Sequence, residues 1–480
     1  MLTSFDAFVL RYQNFLLFLS KQIKSMISEK SLKQAKDKTV TEYLSDEYAT
    51  YGMYTIENRA IPSVIDGFKP TQRKVIYVAN RVWKSGSEKP LKIFQLGGRI
   101  AADAQYHHGD SSLYGAIIGM AQSFKNSLPL LDEIGQFGSL RSPEAGAPRY
   151  ISTKLNSNFR LLYKDFELVN KQFDEGSEIE PEFYLPIIPT VLLNGSSGIA
   201  VGFSTNILNR NPVDLIDACL KVLDGKKFPE PLPFWNKFNG IVTKNEGESS
   251  YMIRGLYEVK DTTTVHVTEL SPSMTYLKFE NHLNNLMDKG IISNYDDNCK
   301  KNIDYTIKFQ RSVLQEIIKK DNMLHNLKLY ENETENLTCL DEHGKLIVFK
   351  NVTELINYFV KFRLTYYDKR KDFLLNELSR RNIYLTNRAK FIKLIIDGKL
   401  NLRNKPKAEV VEELTKLKFE QIEGNYDYLL NMAIQSMTKE RYEALLKEIK
   451  ENTDESIRIS KTEPIDMYKL DLKELRKKLS

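Results

Sequence analysis

Cysteine is scarce in this 480-residue chain. Its three cysteines, Cys219, Cys299 and Cys339, show none of the CxxC or CxxH spacings that are typical of structural zinc sites. They also provide no disulfide framework, which small secreted domains commonly need. We therefore expect a protein of the reducing cytoplasm.

Long hydrophobic runs are also missing. The most apolar stretch near the N-terminus, residues 5–19, is interrupted by Asp6, Arg11, Gln13 and Asn14. It is too short and too polar to span a bilayer, and it lacks the basic start of a signal peptide. Its apolar residues recur at helical spacing, which predicts a helix that packs on the protein or on a partner. A helix lying on a membrane surface is the alternative, but we expect no membrane partner.

Two motifs of nucleotide and metal chemistry are absent as well. The Gly-rich stretch 194–202, "NGSSGIAVG", has no Lys-Ser or Lys-Thr pair and is not a Walker loop. The adjacent His107 and His108 point in different directions in a helix or a strand, so they are a poor chelating pair. Asp103 and His107 supply two ligands at helical spacing, which is too few for a metal. The sequence therefore predicts no metal site in this chain.

Positive charge is concentrated in one segment. Residues 59–99 contain nine Lys or Arg and two acids, a net charge of +7 in a chain whose total is +6. Such a basic region is the electrostatic footprint of a polyanion-binding protein. A solvated surface without a partner is the alternative on charge alone.

The length predicts several domains. Short helical patterns fill residues 59–180, where Asp110 opens a helix to Phe124 whose buried face holds Leu113, Ile117, Ala121 and Phe124. A helix, a turn and a second helix beside a basic segment favour a helix-turn-helix variant.

The middle of the chain predicts strands. Residues 182–205 are expected to form a buried strand, a Gly-rich turn and a second strand. An α+β module then follows as strand Thr264–Leu270, helix Phe279–Lys289 and strand Tyr305–Phe309.

The last third predicts long helices. Val352 to Asp397 contains neither Gly nor Pro and would form a helix of roughly 65–70 Å, which favours a coiled coil. A second helix, about Thr438–Ile459, would return antiparallel, and residues 398–437 would form a helical tip. The fold class is therefore α+β with several domains.

The candidate chemistry lies in "GAPRY", which ends at Tyr150. A phenol has an unperturbed pKa near 10 and is a weak nucleophile at neutral pH. Arg149 would neutralise a phosphate that Tyr150 attacks. The residues alone leave open that Tyr150 is one surface tyrosine among 25. They also allow Ile199, at a turn tip, to wedge between bases, or simply to belong to a tight turn.

Several motifs in a fixed order resemble type IIA DNA topoisomerases, specifically the breakage-reunion subunit, and the resemblance covers roughly residues 45–460. The split-subunit enzymes of T-even-type bacteriophages are the nearest match. The motifs are "ENRAIPSVIDGFKPTQRKVIY", "YHHGD", "GQFGS", "APRYIS", "EPEFYLPIIPTVLLNGSSGIAVGFSTNI", "YLLNMAIQSMTKE" and "IDMYKLDLKELRKKL".

This resemblance implies that Tyr150 attacks a DNA phosphate and forms a 5′-phosphotyrosyl link in each strand, so that a second duplex can pass. The other implied catalytic residues are Arg149, His107, His108, Arg59 and Lys74. The implied DNA-binding residues are Lys69, Arg73, Ser111 and Ile199.

The resemblance also implies partners and cofactors. Because no Walker loop and no toprim-like cluster of acids is present, a large subunit with ATPase and toprim domains is expected to hold the ATP and the Mg²⁺. A homodimer through a C-terminal gate (C-gate) is expected. The implied domains are an N-terminal extension (1–44), a winged-helix domain (45–181), a tower domain (182–350), the first coiled-coil helix (351–397), a C-gate tip (398–437) and a return helix with the C-terminal segment (438–480).

Two other functions compete with this one. An architectural DNA-bending protein would use the same basic segment and the Ile199 wedge without any chemistry. A gyrase-like, supercoiling subunit is the alternative within the enzyme class, although no pinwheel domain follows the gate.

Overall fold

A computed structural model describes residues 39–86, 88–300, 302–401 and 405–479. The helix expected within residues 5–19 lies outside these ranges. The chain divides into two compact units, Met1–Thr55 and Ile56–Ser480. No helix in the described ranges is long and apolar enough to cross a membrane.

The described part of the first unit is helical. Thr39 caps it through a capping box, in which the Glu42 N–H donates to Thr39 Oγ1 and the Thr39 N–H donates to the Glu42 carboxylate. The unit contains α1 (Val40–Tyr43), a π-helical turn (Leu44–Tyr48) and α2 (Ala49–Thr55).

Four α-helices and several short strands form the first part of the second unit. Its elements are a π-helical turn (Ile56–Ala60), α3 (Pro70–Val82), β1 (Leu91–Lys92), α4 (Ile93–Asp103), α5 (Asp110–Ala121), β2 (Ser152–Thr153), α6 (Ser157–Leu162), β3 (Tyr163–Lys164), β4 (Phe173–Asp174), β5 (Ser177–Glu178) and β6 (Leu185–Pro186). Its core packs α3, α4 and α5 through side chains such as Val75, Ile100 and Ile117.

Helix α5 is shorter than its apolar pattern predicted. Leu113, Ile117 and Ala121 are buried as expected, but Phe124 is half-buried and lies beyond the helix end. The helix stops because Gln122 turns to an extended backbone and donates its side-chain amide to the Phe137 carbonyl. The prediction failed because this end depends on a contact distant in sequence.

The first of the two strands expected within residues 182–205 is wrong over most of its length. Only β6 is extended, and the apolar run after it forms the short helix α7 (Thr190–Asn194), which Gly195 ends with a φ of +66°. A short run buried on all sides has no periodicity that separates a strand from a helix. The expected Gly-rich hairpin follows as β7 (Ser196–Ile199) and β8 (Ser204–Ile207).

A second core lies in the α+β module. The elements of this region are α8 (Pro212–Leu223), β9 (Ile241–Lys244), β10 (Ser250–Arg254), β11 (Leu256–Val259), β12 (Thr264–Glu269), α9 (Tyr276–Asp288), β13 (Ile292–Asp297), β14 (Tyr305–Phe309), α10 (Arg311–Lys319), α11 (Met323–Asn326), β15 (Tyr330–Thr334), β16 (Thr338–Leu340) and β17 (Leu346–Val348). The four-stranded antiparallel sheet has the order β11-β12-β14-β13 and packs against α9 through Val267, Phe279 and Ile307. A three-stranded sheet, β15-β10-β9, and a hairpin, β16-β17, accompany it.

Two long helices dominate the C-terminal part. The elements are α12 (Val352–Ile396), α13 (Lys407–Lys416), α14 (Asp427–Leu430), α15 (Lys439–Lys461) and α16 (Pro464–Leu479). Helix α12 has 45 residues, about 68 Å at 1.5 Å per residue, and it pairs antiparallel with α15. The Asn452 amide donates to the Leu378 carbonyl, while Leu445 packs in the same distal core as Leu385 and Phe391.

Candidate functional site

Tyr150 lies on an exposed turn that two hydrogen bonds fasten to the start of α4. The Ile93 N–H donates to the Ile151 carbonyl (3.1 Å) and the Phe94 N–H donates to the Pro148 carbonyl (3.2 Å). Ile151 is buried beneath the turn, whereas the Tyr150 side chain is 76% exposed. Among the described residues, its hydroxyl has no hydrogen-bond partner. The hydroxyl therefore faces solvent on a backbone that is held in place.

Arg149 accompanies the tyrosine. Its guanidinium carbon is 5.8 Å from the centroid of the Tyr150 ring, which is within cation–π range. The Arg149 side chain is exposed. A phosphate that reached the Tyr150 hydroxyl would therefore meet a permanent positive charge beside it.

The two histidines lie in the short loop between α4 and α5. His107 is exposed, with Nε2 3.8 Å from Asp174 Oδ2. The His108 ring packs edge-on against Tyr106, at 5.4 Å between centroids. The loop leads directly into the first turn of α5, where Ser111 is exposed. Free N–H groups at such a helix start favour an anion.

Lys74 and Arg73 are engaged inside the protein. Lys74 Nζ donates to the Ala104 carbonyl (2.6 Å) and lies 2.9 and 3.0 Å from the two carboxylate oxygens of Glu180. Arg73 makes two hydrogen bonds, of 2.8 and 3.1 Å, to the fully buried Asp66. The charges of these two cations of the basic segment are therefore paired within the protein.

Lys69 supports the hairpin that presents Ile199. Its Nζ donates to the Ser197 carbonyl (2.7 Å), and burial lowers the pKa of this ammonium. A Cβ on Gly198 would lie 2.2 Å from the Ala60 carbonyl oxygen, so only glycine fits at this position. Ile199, which follows, is 89% exposed.

Arg59 lies on the π-helical turn that contacts this hairpin. It is exposed, and within the described ranges its guanidinium makes no hydrogen bond or ion pair. Its charge is therefore available to a ligand, unlike that of Arg73 or Lys74.

The predicted residues form three local groups. One contains Tyr150 and Arg149, a second contains Lys74 and the histidine loop, and a third contains Arg59, Lys69 and Ile199. Within the described ranges, no hydrogen bond or ion pair connects Tyr150 or Arg149 with His107, Lys74 or Arg59.

Three acidic residues at this site were not predicted. Asp66 binds Arg73, Glu180 binds Lys74, and Asp174 lies beside His107. Asp66 could have been suspected, because it is an acid inside the apolar stretch "SVIDGF" next to a basic helix. Nothing in the sequence relates Asp174 to His107, which is 67 positions away, or Glu180 to Lys74, which is 106 positions away.

The described residues contain no group of three or more His, Cys, Asp or Glu side chains that could hold a metal ion. These residues alone therefore do not form a complete metal site.

An exposed tyrosine with an adjacent arginine, on a helical domain rich in basic residues, is the kind of site expected of an enzyme that cuts DNA through a tyrosine. The family of DNA gyrase/topoisomerase IV A-type subunits matches residues 59–476. The chain therefore belongs to this family of type II DNA topoisomerases, which confirms the resemblance seen in the motifs.

Individual relatives agree. The DNA topoisomerase medium subunit of Enterobacteria phage T4 is 36% identical over 450 residues, covering 92% of this chain and 100% of the relative. DNA topoisomerase 2 of Plasmodium falciparum is 33% identical over 466 residues, covering 88% of this chain and 33% of the relative. The chain thus spans the whole of the phage relative but about a third of the longer one.

A solved structure shows the same fold. The DNA-binding, cleavage and re-ligation domain of Plasmodium falciparum topoisomerase II has a TM-score of 0.82 and 31% sequence identity, covering 94% of this chain and 66% of that one. The α+β fold class is confirmed. Family and fold therefore group the chain with the type II DNA topoisomerases, which are enzymes, and this favours an enzyme component over a purely architectural protein.

Proposed function

We propose that Tyr150 is the nucleophile of this DNA cleavage and that the chain works as the DNA gate of a type II topoisomerase. The observation that carries the proposal is the Tyr150 hydroxyl, which is exposed on an anchored turn and has no hydrogen-bond partner in the described part of the chain. The adjacent Arg149 supplies the charge that a phosphate needs.

The reaction is an exchange of one phosphodiester for another. The Tyr150 oxygen bonds to the phosphorus, the bond from phosphorus to the 3′ oxygen breaks, and the phenol loses the one proton that the leaving 3′ hydroxyl gains. The 5′ phosphate stays on Tyr150 until the reverse reaction reseals the strand. Fixed cations such as Arg149 stabilise the charge on the phosphoryl oxygens, which is usually the largest catalytic contribution.

The neighbouring residues bind the DNA around this point. Arg59, His107, His108 and the start of α5 at Ser111 would contact the backbone, since each is exposed. Lys69 holds the hairpin from which Ile199 wedges between bases and bends the duplex. Arg73 and Lys74 lie beneath this surface and support it without contacting the DNA, because their charges are paired with Asp66 and Glu180.

The arrangement of domains follows from the same proposal. Helices α3 to α5 form a winged-helix domain, the strands after residue 182 form the tower, and α12 with α15 forms a coiled coil that ends in a C-gate. Two copies would meet at that gate, so that both strands are cut and a second duplex passes. The products would be relaxed and decatenated DNA.

A partner subunit completes the enzyme. The similar phage protein is named a medium subunit, which implies further subunits. The proposed partner carries the toprim domain that holds Mg²⁺ and the ATPase domain that binds ATP. Magnesium would polarise a phosphate there. The complex would act on double-stranded DNA in the cytoplasm.

The decisive experiment replaces Tyr150 with Phe in the complex reconstituted with the large subunit. The Tyr150→Phe variant should form no covalent protein–DNA complex, since it lacks the attacking oxygen, while it should bind DNA as tightly as the unaltered protein. Denaturing gels detect the covalent complex, and fluorescence anisotropy measures DNA affinity.

The matched control is Tyr51→Phe, which removes the hydroxyl of another exposed tyrosine. This control should cleave DNA normally. Covalent complexes that persist with Tyr150→Phe would rule out Tyr150 as the nucleophile.

A further inference from the structure

A short hairpin lies beside the histidine loop and supplies none of the residues that are proposed to contact DNA. Strands β4 and β5 pair Phe173 with Glu178 and Asp174 with Ser177. The two residues between the strands, Glu175 and Gly176, both have positive φ (+46° and +80°), as in the tight turns that suit the twist of a hairpin.

The hairpin is fastened to α3. The Tyr77 hydroxyl donates to the Glu178 carbonyl (2.9 Å), and Arg81 donates to that hydroxyl (2.7 Å). The backbone immediately after β5 therefore lies along the helix that carries Lys74.

Glu180, two residues after β5, connects this backbone to the loop. Its carboxylate is buried, and both of its oxygens contact Lys74 Nζ. The same ammonium donates to the carbonyl of Ala104, the residue that follows α4 and precedes the histidine loop. An ammonium has three donors, and these contacts direct them inward rather than toward a ligand.

Asp174 makes a second contact with the same loop. Its Oδ2 is 3.8 Å from His107 Nε2, and both side chains are partly exposed. The hairpin region thus reaches the loop twice, once through Lys74 from beneath and once at the surface.

From these contacts we infer that Glu180 and Asp174 are positioning residues for DNA cleavage. Glu180 fixes Lys74, and through it the Ala104–His108 loop, while Asp174 restrains His107. Lys74 thus links the backbone after β5 to the end of α4 and does not contact a phosphate. The inference rests on the proposed role of His107 at the DNA. Its physical basis is that small displacements of a positioned group have a large effect on rate.

The test measures the rate of covalent complex formation at saturating DNA, in the complex reconstituted with the large subunit, together with the DNA dissociation constant. Glu180→Gln should slow cleavage by about tenfold or more, because Lys74 loses its ionic partner and no longer holds the loop in place. DNA affinity should be unchanged. Glu180→Asp keeps the charge and should recover most of the rate, and Asp174→Asn should slow cleavage several-fold.

The matched control is Glu178→Gln, in the same hairpin. Glu178 pairs with Lys171 at the surface, where ion pairs contribute little, so this variant should cleave normally. Should Glu180→Gln fail to fold in a thermal melt, the exposed Asp174→Asn decides the matter.

Two outcomes would overturn the inference. One is that Glu180→Gln and Asp174→Asn both cleave at the rate of Glu178→Gln. The other is that Glu180→Gln folds normally but loses DNA affinity together with its cleavage rate, and Glu180→Asp restores neither. Failure of this inference is separable from failure of the proposed function, because Tyr150→Phe would still abolish the covalent complex.

Discussion

Replacing Gly198 by Ala would test how tightly the wedge hairpin is held. The new Cβ would lie 2.2 Å from the Ala60 carbonyl oxygen and 3.0 Å from Lys69 Nζ. The lysine can move aside, but the carbonyl belongs to the backbone of the π-helical turn. The hairpin must therefore retreat from this turn, and Ile199 must move with it.

The size of the effect follows from that distance. Relieving the clash requires a shift of about 1 Å, and overpacking of this kind costs about 1–3 kcal/mol. The shift also strains the 2.7 Å hydrogen bond from Lys69 to the Ser197 carbonyl. Local opening of β7–β8 should accordingly become roughly 5- to 150-fold more frequent, if the whole cost falls on the hairpin.

Hydrogen exchange measured by mass spectrometry on peptides from β7–β8 reports this opening, and fluorescence energy transfer across a labelled duplex reports bending. Gly198→Ala should exchange faster there and bend DNA less. Gly119→Ala is the control, since its Cβ would meet nothing within 4 Å. Within helix α5 this control should be neutral or stabilising by about 0.5–1 kcal/mol.

Unchanged exchange in β7–β8 of Gly198→Ala would refute the packing argument. Faster exchange with undiminished bending would uphold the packing and refute the wedge role of Ile199. The two readouts thus test separate steps of the reasoning.

Three further predictions concern other groups. Arg73→Gln should lower the free energy of unfolding by about 3–5 kcal/mol in chemical denaturation, because it leaves the buried Asp66 carboxylate without its cation. If this variant kept its stability but bound DNA more weakly, the prediction would be contradicted. Arg59→Gln, at an exposed position, should instead weaken DNA binding and reduce the slope of log affinity against log salt by about one, and an unchanged slope would exclude a phosphate contact. Burial raises the pKa of the Cys299 thiol to about 11. Since the thiolate is the reactive form, its alkylation should accelerate about tenfold per pH unit between pH 8 and 10, and a plateau below pH 9 would contradict the raised pKa.

Much of the candidate site was proposed from local sequence. Tyr150 with Arg149, the two histidines and the hairpin of Ile199 are each recognised by neighbours within a few residues, and chain order relates them to a family. The extent of helix α12 also followed from local composition, because 46 consecutive residues without Gly or Pro leave little to interrupt a helix.

Secondary-structure predictions from local sequence failed where a contact distant in sequence sets the backbone conformation. The end of α5 depends on Gln122 reaching Phe137, and α7 replaced the expected strand in a run with no exposed face. Fully buried segments carry no alternation from which a period can be determined.

The tertiary structure alone decided which of the charges are paired and which are exposed. The sequence by itself determined that residues 59–99 are strongly basic, that Tyr150 follows Arg149, and that the chain belongs among enzymes acting on DNA. It did not separate Arg59, which is exposed, from Arg73 and Lys74, which bind Asp66 and Glu180. A positive side chain is available to a phosphate when no buried carboxylate is already paired with it. Asp66 is 7 residues from Arg73 in the sequence and Glu180 is 106 residues from Lys74, so only the folded chain shows these pairs.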